Sequence, residues 1–206
     1  MNEMIAVVAG EFDPVSEKHM RMMEALIKQK LADEIMLVPV KKPGLADDQM
    51  RMKMLQLALN SKKTDPDVWR KTFISDAAVT MPGEVTNLAQ LMDALKAQRP
   101  NKRLMMVLDA ETLLRLHEWE DAGRLVDENE FIVLLNRAVC SSDISEHFTM
   151  DQSDRLLMSI VSAPELPKTG EAELRQKLEL GGSLAGLVSP SVEQFIKKNK
   201  LYRLNA

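Results

Sequence analysis

Ile5-Ala-Val-Val-Ala9 runs directly into Gly10-Glu11-Phe12-Asp13-Pro14-Val15-Ser16-Glu17-Lys18-His19. An unbroken apolar row, too short for a helix, is what a strand buried on both faces requires. Gly10 permits a tight turn after that strand. Asp13 and Pro14 stop the strand and shape the loop, and Ser16 can cap a helix that follows. His19 then falls in the first helical turn, where free N–H groups and the helix dipole favour an anion.

The same alternation continues outward. Residues 17–31 read as a helix, with Met20, Met23, Ile27 and Leu31 on one face and Lys28 and Lys30 off it. Ile35-Met-Leu-Val-Pro-Val40 reads as a strand that Pro39 brings to its end. A helix from Asp48 to Ala58, a weaker strand at Phe73-Ile-Ser-Asp76 and a helix from Val85 to Ala97 follow. Leu104-Met-Met-Val-Leu108 and Phe131-Ile-Val-Leu-Leu135 are two more buried strands. Residues 136–155 are polar and read as an irregular surface segment, Leu156-Leu-Met-Ser-Ile-Val161 as a last strand, and 171–180 and 190–199 as helices. The expectation is one α/β domain over residues 1–206: a Rossmann-like, doubly wound, mostly parallel sheet with helices on both faces and C-terminal helices. Such sheets bind ligands outside the carboxyl ends of their strands, which directs attention back to residues 10–19.

Bulk properties exclude several classes. Lys and Arg number 27 against 31 Asp and Glu, for a net charge of −4, so no basic surplus points to nucleic acid. A small phosphorylated ligand needs only a local positive site and stays open. Cys140 is the sole cysteine, which rules out an intramolecular disulfide and a cysteine metal cluster. No metal site is expected, and a reducing cytoplasm is the simplest setting. No apolar run approaches the roughly 20 residues that span a bilayer, so no membrane partner is expected. Methionines number 15, so flexible thioethers must fill much of the core.

The turn resembles the signature Gly-Gly-Thr-Phe-Asp-Pro-Val-His-x-Gly-His of the nicotinate-nucleotide adenylyltransferase family. Phe12, Asp13, Pro14, Val15 and His19 match at the same spacing. Arg51-Met-Lys-Met-Leu-Gln-Leu-Ala-Leu59 is similar to that family's Arg-x-x-Met-Leu-x-Leu-Ala helix. Leu113, Leu114, Leu116 and Trp119 resemble its Leu-Leu-x-Leu-x-x-Trp segment, and Arg137 follows a strand as its Pro-Arg-Pro-Gly arginine does. Gly186-Leu187-Val188 through Leu201-Tyr202-Arg203 resembles its C-terminal segment, so the likeness spans nearly the whole chain in order. The resemblance implies transfer of an AMP unit from ATP, with magnesium, to nicotinate mononucleotide, a step of NAD biosynthesis that releases pyrophosphate. It assigns His19, Lys18 and Ser16 to catalysis, Gly10, Glu11, Phe12, Asp13 and Arg175 to the phosphates, and Trp119, Arg137 and Glu84 to the acceptor pocket. A small phosphorylated nucleotide is the partner it implies, and it is compatible with a homo-oligomer.

The departures fall on phosphate-contacting positions. The family's first motif histidine is Ser16 here, its small hydroxyl residue is Glu11 and its glycine is Lys18. Its Ile-Ser-x-Thr-x-Ile-Arg motif becomes Thr169-Gly-Glu-Ala-Glu-Leu-Arg175, where only Arg175 survives and Glu171 replaces a hydroxyl. Acidic residues thus stand at Glu11, Glu84, Asp109 and Glu171, and if they converge they repel bare phosphates. The alternative reading is therefore a homologue that binds a nucleotide or a protein partner without turnover. His117 and His147 lie apart in sequence and have no partner at ligand spacing.

Overall fold

A computed structural model describes residues 3–61, 64–81 and 87–202 of the chain. Six strands, β1 (Met4–Gly10), β2 (Glu34–Pro39), β3 (Thr72–Ile74), β4 (Arg103–Asp109), β5 (Glu130–Leu135) and β6 (Ile160–Ser162), form one sheet in the order β3-β2-β1-β4-β5-β6. Every pairing is parallel. Helices α1 (Glu17–Lys28), α2 (Asp48–Leu59), α3 (Pro66–Lys71), α4 (Ala77–Thr80), α5 (Leu88–Gln98) and α6 (Ala110–Arg115) cover it together with α7 (Ala122–Glu128), α8 (Ser141–Ser145), α9 (Met150–Met158), α10 (Glu171–Glu179) and α11 (Pro190–Asn199).

The strand alternation builds a core on each face. Ala6 and Val8 point into a cluster with Met23, Leu26, Met54, Leu55 and Ile196, which belong to α1, α2 and α11. Ile5 and Val7 point the other way, against Leu91, Met92, Leu125, Val126 and Leu156 of α5, α7 and α9. Apolar burial on both sides is why β1, β2, β4 and β5 read as continuous hydrophobic runs. Five of the fifteen methionines (Met23, Met36, Met54, Met92 and Met106) are at most 1% exposed, so the thioethers do fill core gaps. Among the described residues no helix is long and apolar enough to cross a membrane.

The doubly wound architecture expected from the sequence is the one found, with two corrections near the far edge. Residues 136–155 are not irregular, because they carry α8 and most of α9, and the last strand is Ile160–Ser162 rather than 156–161. Thr149 caps α9, Gln152 N–H donating to its Oγ1 and the Gln152 Oε1 accepting from the Thr149 N–H. Leu156 is buried while Met158 is 86% exposed, a helical rather than a fully buried strand pattern. α1 also stops at Lys28, three residues before the expected end, and Lys30 takes a left-handed conformation in the turn beyond it.

Because β1 and β4 lie side by side while the chain winds outward from each, the sheet has its switch point between them. The carboxyl ends of β1 and β4 open there into one cleft.

Candidate active site

A cavity of about 610 Å³ occupies that cleft. Its walls are Val8–Phe12 at the end of β1, Val107–Asp109 at the end of β4, Ser16, Lys18 and His19 at the start of α1, and Glu171 and Arg175 of α10. Trp119 and Arg115 line it as well. Residues separated by more than 150 positions meet here because α10 folds back onto the turn after β1.

The hidden side of that turn is a fixed scaffold. Phe12, not Gly10, takes the left-handed backbone conformation, with φ 49. An aromatic residue rarely adopts that region and keeps it only where its surroundings dictate it. Gly10 is the last residue of β1, paired with Pro39. The Phe12 ring is fully buried with its centroid 5.0 Å from that of His19, so Phe12 supports the imidazole instead of touching a phosphate through its side chain. Arg51, fully buried, donates from Nη1 to the Glu11 carbonyl at 2.5 Å and from Nε to the Ala46 carbonyl at 3.1 Å, and pairs with Asp48. Asp13 is fully buried too: it accepts from the Ala46 N–H and the Tyr202 hydroxyl, so its carboxylate faces away from a ligand. Burial and the Asp13 charge push the Tyr202 phenol up from its ordinary value.

The open side carries the chemistry. The Ser16 N–H donates to His19 Nδ1 at 3.0 Å, and Ser16 Oγ lies 2.9 Å from the same nitrogen. An amide N–H can only donate, so Nδ1 holds the lone pair and Nε2 carries the proton. Burial, with the Lys18 charge, lowers the His19 pKa to about 4 against an opposing effect of Asp109. His19 is therefore neutral near pH 7 and offers an N–H, not a cation. Its Nε2 stands 3.4 Å from Glu171 Oε1.

Each cation at the cleft already faces a carboxylate. Lys18 Nζ lies 2.5 Å from Asp109 and 3.6 Å from Glu111. Arg175 Nη1 lies 3.3 Å from Glu11 and donates to the Asp13 carbonyl at 2.7 Å. Lys42 Nζ donates to Glu11 at 2.8 Å. Burial pushes the Glu11 carboxyl up, but Lys42 and Arg175 outweigh it and hold it below the ordinary range. Burial likewise opposes the charges of Lys18 and Asp109, and their contact outweighs it, raising the lysine and lowering the aspartate. Glu171 behaves differently. Burial, then the Glu11 charge, raise it to about 7 against the Asp13 N–H and Arg175.

The cleft thus brings together Gly10, Glu11, Phe12, Ser16, Lys18, His19, Trp119 and Arg175 of the expected site residues. Two others stand apart: Asp13 lies behind the turn, and Arg137 is exposed beyond β5 and absent from the cavity wall. Glu84 lies outside the described residues. Asp109 and Glu171, read from the sequence as acidic departures, do converge with Glu11 on the cleft. Lys42 was missed; its signal was its position just past the end of β2, next to β1 at the sheet's carboxyl edge. His117 and His147, distant in sequence, are stacked 3.6 Å apart in space, so sequence separation misjudged them. Among the described residues no three His, Cys, Asp or Glu side chains converge as a metal cage.

A parallel sheet in this strand order, with its cleft at the β1/β4 switch, defines an open, doubly wound α/β protein of the kind that binds ligands at the carboxyl ends of its strands. The cytidylyltransferase-like family model matches residues 7–164, and the chain belongs to that family. Within it the chain is 25% identical to a probable nicotinate-nucleotide adenylyltransferase of Desulfatibacillum aliphaticivorans, covering 96% of this chain and 99% of that one. A Synechococcus protein of the same name is 24% identical, covering 96% and 94%. Among solved structures, Plasmodium falciparum nicotinic acid mononucleotide adenylyltransferase complexed with NaAD superposes with a TM-score of 0.81 at 19% identity, covering 99% of both chains. The same enzyme complexed with APC gives a TM-score of 0.80 at 20% identity, again covering 99% of both.

Proposed function

We propose that this chain is an adenylyltransferase of NAD biosynthesis that moves the AMP unit of magnesium-bound ATP onto nicotinate mononucleotide in the cytoplasm. The observation that carries this reading is the single cleft at the β1/β4 switch. Its wall carries the His19 N–H, Lys18 and Arg175 together with Trp119. A phosphate oxygen of the acceptor attacks the α-phosphorus in line, the bond to the bridging oxygen breaks, and pyrophosphate leaves with its electron pair. Such a transfer needs positioning and charge stabilisation, with no covalent intermediate on the protein. His19 Nε2–H donates to a phosphate oxygen, and Lys18 and Arg175 supply positive charge. Ser16 is a positioning residue that fixes the imidazole tautomer, and Phe12 backs the ring. Trp119 offers a flat apolar face to the acceptor's aromatic ring. Magnesium would be held chiefly by the triphosphate's own oxygens, since no cage of three His, Cys, Asp or Glu side chains lies among the described residues, and it would offset charge on the departing pyrophosphate.

A pyrophosphate-release assay with magnesium, ATP and a panel of mononucleotide acceptors tests this. Release with nicotinate mononucleotide is expected. His19→Ala should lower kcat on the order of 100-fold, the usual cost of one preorganised donor. Trp119→Ala should raise the acceptor KM on the order of tenfold with less effect on kcat. Silence with every mononucleotide acceptor would falsify the reading.

A further inference from the structure

The turn after β1 presents a backbone N–H at Asp13 and, beside it, the Nε2–H of His19 at the start of α1. Amides near a helix N-terminus together with an imidazole donor form a ready seat for an anion. That seat already holds one. Glu171 Oε1 accepts from the Asp13 N–H at 3.1 Å and lies 3.4 Å from His19 Nε2. The Glu171 side chain is only 18% exposed, so the carboxylate is set into the cleft rather than waving over it. Arg175, one turn further along α10, keeps the same helix in place by donating to the Asp13 carbonyl.

We propose that the Glu171 carboxylate is an internal stand-in for a ligand phosphate, occupying the anion seat of Asp13 N–H and His19 Nε2–H so that a polyphosphate enters only by displacing it. Glu171 is then a specificity-determining residue of the adenylyltransfer reading on which this inference rests. A ligand with fewer charges at that end meets no such competitor. Entry of a phosphate is coupled to loss of the Glu171 charge. Its surroundings make that loss accessible near neutrality: burial and the Glu11 charge weigh against a further anion there, with the buried Asp13 carboxylate and the neutral Tyr202 phenol behind the turn. His19 is neutral, and Arg175 is shared with Glu11.

The test is binding of inorganic pyrophosphate alone, by calorimetry, to the wild type, Glu171→Gln and Glu171→Ser. Gln keeps the shape and removes the charge, while Ser also empties the seat. At about pH 8 both variants should bind roughly tenfold or more tighter than the wild type, since a like charge is removed at close range. Between about pH 8 and pH 6 the wild type should gain affinity beyond any gain of the Gln variant, which corrects for titration of pyrophosphate itself. Equal or weaker binding by both variants overturns the proposal, and so does absence of binding by all three proteins. A second measurement does not depend on affinity. The Asp13 amide and His19 ring protons should titrate near pH 7 in the wild type and lose that step in Glu171→Gln; a wild type without the step overturns the proposal. None of these readouts involves turnover. Tighter pyrophosphate binding beside a silent release assay would sink the adenylyltransfer reading and leave the occupied seat standing.

Discussion

The turn after β1 has two sides made of similar residues with opposite fates. On its hidden side, a fully buried arginine and a fully buried aspartate satisfy backbone groups and one phenol, and neither of the two lines the cleft. On its open side, lysines, an arginine and glutamates of the same chemical types face the cavity and pair with one another. The hidden side matches the family pattern residue by residue through Phe12, Asp13 and Arg51, whereas the open side is where Glu11, Ser16, Lys18 and Glu171 depart from it. Buried polar groups are exacting, because an orphaned one costs its whole desolvation. Water-facing charges can be re-paired at little cost. The open side can therefore carry different pairings while the hidden side holds the backbone in place.

The strongest break of this contrast is Arg51→Met. It orphans the Glu11 and Ala46 carbonyls and removes the partner of Asp48. Removing one member of a buried network costs about 3–5 kcal/mol, which urea unfolding should read as a lower midpoint at unchanged slope. A loss below about 1 kcal/mol would mean the hidden side is no more demanding than the surface.

The open side is probed by pH. Glu171 has a folded pKa of about 7 against an ordinary 4.5, so the folded protein holds that proton longer than the unfolded chain does. Its contribution to stability falls as pH rises from about 4.5 to 7 and is level above. His19 has a folded pKa of about 4 against an ordinary 6.5, so the unfolded chain takes the proton first. Its contribution is full above about pH 6.5 and lost as pH falls toward 4. Each is on the order of 3 kcal/mol, and between about pH 4.5 and 6.5 the slopes oppose. The wild type should then be nearly flat in that window. Glu171→Gln should gain stability with rising pH from about 4 to 6.5, and His19→Asn should lose it from about 4.5 to 7. Variants that both track the wild-type curve would show that the two groups do not share the environment described.

The same division explains what could be read in the sequence. The four long strands were legible because burial on both faces leaves an uninterrupted apolar signature. The turn was legible because Phe12 to Val15 and His19 match, at the same spacing, the family signature that the segment resembles. The last strand was misplaced because Leu156 and Leu157 are apolar neighbours in either structure, and the Thr149-x-x-Gln152 box that decides for a helix precedes them. The pairings of the open side were not legible. Glu171 and Asp13 are 158 positions apart, and their contact depends on how α10 docks, which no local pattern encodes.

The smallest effect sharpens the boundary of the site itself. The family resemblance puts Arg137 in the acceptor pocket, because it follows a strand as the family's arginine does. In three dimensions it is exposed past the end of β5 and takes no part in the cavity wall that Trp119 helps to form. A solvated arginine with no buried partner contributes at most about 0.5 kcal/mol to stability. Arg137→Ala should therefore leave the acceptor KM and the unfolding midpoint within error of the wild type, under conditions where Trp119→Ala raises KM. If Arg137→Ala raised KM as much as Trp119→Ala, the acceptor would have to reach across β5, and the cleft would extend beyond the walls drawn by the β1/β4 switch.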